Sequence, residues 1–254
     1  MENIYLKIDD EKIFYIKAFR FFDYFYQLKI LKFLKKNNLI KFNIFFDVGA
    51  HKGESINFFL KNFIIKKIYS FEASSINYQK LYIAKNIYQK KFLQSDIIIE
   101  NYALGEKNTD VYLNQSFESS SSTLNQINSD SNYFKKKKKL LKNNNENFFT
   151  NIKVKMITLK DYIEKNKIDH IDFLKIDTEG YEFEVLEGLQ NKISNVGLIM
   201  FEHHYDDMIK KSYKYSHISK LLKDNDFKKI YKSKMPFRKT FEYIFLNNKY
   251  IKSL

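Results

Sequence analysis

Residues 45–55, FFDVGAHKGES, constrain the fold of this chain more than any other stretch. An apolar run closes on Asp47-Val48-Gly49-Ala50, and Lys52-Gly53-Glu54-Ser55 then opens a helical pattern with Ile56, Phe59, Leu60 and Phe63 on one face. Buried strand, glycine turn and helix, in that order, form the first unit of a doubly wound α/β sheet. Gly49 permits the sharp turn, and Gly53 is expected to let the backbone approach a ligand or a neighbouring strand. The N–H groups at the helix start are expected to suit a carboxylate or a phosphate.

Spacing narrows the ligand. Dinucleotide folds use G-x-G-x-x-G, whose middle glycine admits a pyrophosphate. Here the pattern is G-x-x-x-G behind an acid, so that glycine is missing. The next apolar run, residues 68–71, ends in Glu72, about 20 residues past the turn, where a carboxylate can take both ribose hydroxyls. An acid before the turn and another ending the second strand fit S-adenosylmethionine better than NAD. The alternative is an α/β turn that holds no cofactor.

Further units follow in the same style. Residues 76–90 read as a crossover helix, 97–99 as a third buried strand, and 110–114 as an extra strand or hairpin arm. Residues 125–147 are polar and lysine-rich, include the run from Lys135 to Lys139, and lack apolar periodicity. They are expected to form a flexible loop or insertion, with a lid over substrate as the alternative. Residues 152–157 read as a strand, with Thr158 capping the helix behind it. Residues 171–176 read as a central strand ending in Asp177-Thr178-Glu179-Gly180, 181–190 as a helix, and 196–201 as a strand closing on Glu202-His203-His204. A helix is expected around 209–222, then two closing strands joined through Pro236, the only proline. Before the glycine turn, residues 13–40 read as a largely apolar helix with a narrow polar stripe of Lys17, Arg20, Asp23 and Gln27. Such a helix packs on the sheet or a second subunit, or rests peripherally on a membrane. The domain reading is a helical extension at 1–40 and one catalytic domain at 41–254, interrupted at about 125–148.

Acids and histidines thus recur at strand ends: Asp47, Glu72, Asp177 with Glu179, and Glu202 with His203 and His204. In an open α/β sheet those ends form the ligand crevice. Grouped buried carboxylates cost several kcal/mol unless each has a task or a partner.

Composition adds limits rather than direction. The formal charge is +14, but only Arg20 and Arg238 are arginines, and bidentate reading of phosphates or bases favours arginine. Nucleic acid is therefore not the expected partner. The chain has no cysteine, so neither disulfides nor a thiolate zinc site is expected. Its first residues, MENIYLKIDDEK, lack a signal pattern, and no apolar run reaches membrane-spanning length. The expected compartment is the cytoplasm.

Taken in order, DVGAHKG, FEAS, ENYALG, SSSTL, TLKDYI, IDFLKIDTEGYEFEVLEGL and LIMFEHH resemble the FkbM family of S-adenosylmethionine-dependent methyltransferases. The resemblance runs from about Asn43 to His204. It implies a class I methyltransferase fold, Rossmann-like, with a doubly wound seven-stranded sheet whose last hairpin is antiparallel. It also implies O-methylation, often of a sugar or polyketide hydroxyl, so a small-molecule or glycan acceptor is expected. Carried over by position, Asp47, Gly49, Ala50 and Gly53 would hold the methionine end of the cofactor and Glu72 the ribose. The turn from Asn101 to Ala103 would border the adenine, and Asp177 and Glu179 would face cofactor and acceptor. An acceptor alcohol needs a base as the new bond forms. His203 and His204 are the expected bases, with Asp177 next. Asp177, Glu179, Glu202 and His203 also have the chemistry to gather one Mg²⁺, although nothing in their spacing requires a metal. The rival readings are a non-catalytic nucleotide-binding or scaffold protein, and a nucleic-acid methyltransferase. Against the latter, the loop after the fourth strand reads Asp177-Thr178-Glu179-Gly180 rather than N/D-P-P-[YFW].

Overall fold

A computed structural model describes residues 25–140 and 148–251. A helix at 25–36, α1, leads into β1 (Lys41–Val48), α2 (Glu54–Asn62), β2 (Ile64–Phe71), α3 (Ser75–Lys91) and β3 (Asp96–Glu100). Next come β4 (Ala103–Leu104), β5 (Thr109–Ser116), β6 (Gln126–Ile127), α4 (Asn132–Leu140), β7 (Phe149–Ile157) and α5 (Leu159–Lys165). The chain continues through β8 (Ile171–Ile176), α6 (Glu182–Glu187), a 3₁₀ turn at Gln190–Asn195, β9 (Val196–His204) and β10 (Ile209–Lys210). It closes with α7 (Tyr215–Asp224), β11 (Phe227–Lys234), β12 (Thr240–Asn247) and α8 (Asn248–Ile251).

The main sheet has seven strands in the order β11-β12-β9-β8-β1-β2-β3. β3, β2, β1, β8 and β9 run parallel, while β12 lies antiparallel to both β9 and β11. This is the doubly wound sheet with an antiparallel closing hairpin that the motif order implies. Both faces are covered, as parallel strands require. On one face Phe46, Val48, Leu174, Ile176, Ile199 and Phe201 pack against Leu159 and Tyr162 of α5, Val185 and Leu186 of α6, and Ile218 and Leu222 of α7. On the other, Phe45, Ile68, Phe173, Leu198 and Ile244 meet Leu34 of α1, Ile56 and Phe59 of α2, and Leu81 of α3. The described part of the N-terminal helix therefore packs on the sheet. It stops before residue 40 because Asn38 turns left-handed (φ 58°) and Leu39 donates back to the Leu34 carbonyl. Of the expected polar stripe only Gln27 lies among the described residues; Lys17, Arg20 and Asp23 lie outside them.

Beside the sheet's C-terminal edge stands a small three-stranded sheet, β4-β7-β5. The expected loop at 125–147 is corrected over its described part. Residues 126–127 pair with β10, and residues 132–140 are helical. Phe134 of α4 packs on Phe148, Met208 and Ile209, with Tyr133 alongside, so this helix has an apolar face that a lysine-dominated composition hides. Residues 141–147 lie outside the described part. Pairing with β6 likewise replaces the expected helix start at Ile209 by strand β10, and the helix begins at Tyr215 instead.

The centre of the second core is aromatic. Phe173 is fully buried, and its ring lies 5.1 Å from Phe42, 5.0 Å from Phe45 and 5.5 Å from Phe59. Phe173→Ala is expected to cost about 3–5 kcal/mol of unfolding free energy, read from urea denaturation, because transfer and cavity costs add.

Candidate active site

The sheet reverses its winding at β1, whose neighbours are β2 on one side and β8 on the other. Above the C-terminal ends of these strands opens a cleft of about 1680 Å³. Gly49, Ala50, Glu72, Ala103, Asp177, Glu179 and His204 all line it. Asp47, Gly53, Asn101 and His203 do not, and each has a different reason.

Asp47 is fully buried beneath the floor, where its carboxylate accepts from the Ser55 hydroxyl and from Lys175 Nζ at 3.2 Å. Gly53 adopts φ +90°, but its close neighbours are Leu81 and Ala84 of α3, so its missing side chain serves helix packing rather than ligand approach. Asn101 works from outside, donating through Nδ2 to the carbonyls of Glu72 (2.8 Å) and Ala73 (3.2 Å) and thereby fixing the loop after β2. His203 points to the opposite face of the sheet. It is 3 % exposed, set among Tyr205, Tyr213 and Tyr215, and burial drives its imidazole down to about 3. Consecutive strand residues face opposite sides, so only one of His203 and His204 can reach the cleft.

Gly49 is where the turn needs glycine. At φ +82°, a Cβ there would sit 1.9 Å from the Asp177 carbonyl oxygen, so the β1 and β8 ends touch backbone to backbone. The N–H groups of residues 49–53, ahead of the helix start, are engaged within the protein. Gly49 and Ala50 both donate to the Phe71 carbonyl, His51 to Glu72, Lys52 to Glu54, and Gly53 to the Ala50 carbonyl. Three of these donors tie the loop to Phe71 and Glu72 at the end of β2.

Glu72 ties this turn to the next. Its oxygens accept from the backbone N–H of His51 (2.8 Å) and of Ser74 (2.9 Å). Burial raises its carboxyl to about 7, against those two bonds and the field of His51. Asn77, also on the cleft wall, leaves its Oδ1 buried with no partner.

Sequence reasoning missed the group that joins the two sides. Lys175 Nζ stands 3.2 Å from Asp47 and 3.3 Å from Asp177. Burial works against its charge, yet Asp47 and Asp177 outweigh it and raise the ammonium pKa. A lysine in the apolar run IDFLKI reads as a solvent-facing residue, and its partners come from separate strands. Glu242 was missed as well. It pairs in register with Glu202 across β12 and β9, and burial beside Asp177 pushes it up to about 8. Burial and the carboxylates of Asp177 and Glu242 also raise Glu202.

At the end of β9, His204 Nε2 lies 3.5 Å from Glu179 and 3.8 Å from Glu202, and it has no hydrogen-bond partner. Its Nδ1 meets the Thr240 hydroxyl at 3.1 Å, and Asp206 lies 3.7 Å away. Burial lowers the imidazole pKa, but Glu179 and Asp206 overcome it, so the net shift is upward. Glu179 itself adopts a left-handed φ of 51°, and burial raises its carboxyl. Glu182 holds the backbone around it by accepting from Thr178 N–H (3.2 Å) and Gly180 N–H (2.9 Å). Thr123 and Asn125 reach over from the segment between β5 and β7, donating to the carbonyls of Glu179 and Gly180. His51 meets Ser119 of the same segment at 2.8 Å. The segment thus roofs the cleft from both sides. Among the described residues no group of histidine, aspartate and glutamate side chains is arranged to hold a metal ion, and Lys175 occupies the place between Asp47 and Asp177.

Strand order, switch-point cleft and closing hairpin together define the class I methyltransferase architecture. Residues 47–229 match the Methyltransferase FkbM domain, and the chain belongs to that family of methyltransferases. Among solved structures, the methyltransferase FkbM from Methylobacillus flagellatus KT is similar, with a TM-score of 0.53 and 16% identity. That match covers 80% of this chain and 43% of the other, so the chain spans less than half of that protein's length. Magnesium protoporphyrin IX methyltransferase from Synechocystis PCC 6803, solved with bound SAH, aligns with a TM-score of 0.50 and 9% identity over 91% of this chain and 86% of its own. At these identities the likeness is one of fold. No curated protein matches the sequence.

Lys175→Met is expected to destabilise the chain by about 3–5 kcal/mol, since it leaves Asp47 buried without its counter-charge. Chemical denaturation of the two proteins side by side checks the value.

Proposed function

We propose that this chain is an S-adenosylmethionine-dependent O-methyltransferase that acts in the cytoplasm on a hydroxyl of a sugar or glycan. One observation carries the reading: the same cleft presents the Glu72 carboxylate at one end and the unpartnered His204 Nε2 at the other. The residues present fit the cofactor. Glu72 uses backbone donors for only part of its accepting capacity, and Asn77 Oδ1 waits beside it, which suits a ribose diol. Phe71, Tyr102, Ala103 and Leu104 offer an apolar wall for the base, and Gly49 with Ala50 opens the floor next to Asp177.

When bound, the cofactor supplies a methyl group already activated on a sulfonium. The protein's share is alignment, exclusion of water and handling of one proton. His204 Nε2 takes the acceptor hydroxyl proton as the new bond to the oxygen forms. Glu179 and Asp206 orient the imidazole and stabilise it once protonated. Thr240 holds the other ring nitrogen, which fixes the direction in which Nε2 points.

Glu72→Ala is expected to weaken S-adenosylmethionine binding by about 1–3 kcal/mol in calorimetry. Because burial raises this carboxyl to about 7, the charged form that accepts ribose bonds best is gained as pH rises. Binding to the unaltered chain is therefore expected to tighten between about pH 6 and pH 8, and the dependence to vanish in the mutant. Unchanged affinity on both counts would remove Glu72 from the cofactor site.

His204→Ala is expected to cut methyl transfer by about 10²–10⁴ while leaving cofactor affinity nearly unchanged. His203→Ala, on the far face, is expected to keep the mechanism and to affect stability only. The assay is cofactor turnover against a panel of sugars and glycans. Wild-type turnover in the His204 variant would assign the base elsewhere, with Asp177 next in line.

A further inference from the structure

Helix α3 buries only one side. Asn77 and Leu81 are buried, whereas Ile76, Tyr82, Ile83 and Ile87, with Leu93 in the turn behind, stand 49–83% exposed. These are five of the eleven large hydrophobic side chains exposed among the described residues, so they form a patch rather than a scatter. Ile76, Ile83 and Ile87 fall at helical spacing, and at about 100° per residue they make one outward ridge opposite the buried side. By the same geometry Lys80 and Lys91 line one flank of the ridge and Lys90 the other. Lysine is abundant in this chain and says little by its presence alone. The absence of acid says more: α3 contains neither aspartate nor glutamate, in a chain that has 30 of them. Acids that reach the helix from other elements do so on its inner side. Burial raises the phenols of Tyr78 and Tyr88, Glu100 and Glu54 add to this, and both rings pack against the core. Asp96, beyond the helix, is matched by Lys67 at 3.7 Å. Lys91 also lies over the Phe92 ring at 5.5 Å, a contact that leaves its charge uncancelled.

We propose that this ridge docks α3 on the surface of an anionic lipid bilayer. The isoleucines and Leu93 enter the headgroup boundary, and the flanking lysines extend their ammonium groups to the lipid phosphates. A ridge on one helix offers no groove to a shaped partner, whereas fluid lipid closes around it. A second copy of the chain fits worse, because two-fold contact between ridges sets Lys80, Lys90 and Lys91 against their own copies. The N-terminal helix belongs to the other edge of the sheet. Phe33 meets Tyr231 of β11 at 4.5 Å and Tyr26 donates to the Ser233 carbonyl, while α3 packs on β3 at the opposite edge. None of the ridge residues lines the cleft, so the docking does not depend on which acceptor the cleft takes.

The test is co-sedimentation of the full chain with vesicles of phosphatidylcholine alone and of phosphatidylcholine mixed with phosphatidylglycerol. Binding to the anionic vesicles is expected to exceed binding to the neutral ones at least about tenfold, and to weaken as salt rises from about 50 to about 500 mM. Ile83→Glu combined with Ile87→Glu is expected to bring anionic binding down to the neutral level. Both positions are exposed, so the urea midpoint is expected to stay where it is. Lys80→Gln, Lys90→Gln and Lys91→Gln together are expected to abolish the preference for anionic lipid. Equal binding to both vesicles, binding to neither, or anionic binding that survives the isoleucine substitutions, as an anchor elsewhere in the chain gives, overturns the proposal. A dimer in sedimentation equilibrium that the isoleucine substitutions dissociate assigns the ridge to a second copy and overturns it as well. Should the isoleucine variant fail to fold, the lysine variant decides, and an undiminished preference there overturns the docking.

Discussion

The ion cluster of Asp47, Lys175 and Asp177 is what the remainder of this structure depends on. β1 and β8 are the strands between which the sheet changes direction, and that change opens the crevice. The Gly49 turn leaves β1 within touching distance of the Asp177 carbonyl, so two carboxylate-bearing strand ends are forced together. One buried ammonium between them turns repulsion into cohesion. The same cation also acts on Glu202 of β9 and Glu242 of β12, whose carboxyls burial raises against its pull. A floor built this way is polar, with one buried cation set among several carboxyl groups.

Much of the fold was legible because its signals are local. The run from Phe45 to Ser55 carries strand, turn and helix in a few residues, and the acids that end β1, β2, β8 and β9 recur where an open sheet puts its ligands. Which acids face inward was not legible. β9 is buried on both faces, so its apolar run has no polar alternation to say whether His203 or His204 looks into the cleft. Lys175 was invisible for a different reason: the sequence separation to Asp47 is large, and pairing depends on β1 and β8 being neighbours. The helix α4 was missed because two aromatic residues, Tyr133 and Phe134, carry its apolar face against a run of five lysines. Single-sequence periodicity needs more contrast than that.

Strain concentrates where the two sides of the cleft meet. His51, Ser119 and Glu179 all take left-handed backbone without being glycine, and all line the cleft. His51 and Ser119 contact each other, while the Glu179 carbonyl receives Thr123. Such backbone persists only where the surroundings over-determine it, and here the surroundings are hydrogen bonds between the glycine turn, the roof segment and the loop after β8. The glycine turn and the loop after β8 are therefore mechanically linked through the roof segment, although they belong to distant parts of the sequence.

The roof segment leaves and re-enters the structure at one place. Ser116 at the end of β5 is paired with Phe149 at the start of β7, so both ends of the intervening chain are clamped side by side on a ladder outside the main sheet. Nothing in the seven-stranded core depends on the length of what lies between. Both ends of the segment are fixed by one ladder, so a change in its length is taken up above the cleft without moving a strand of the main sheet.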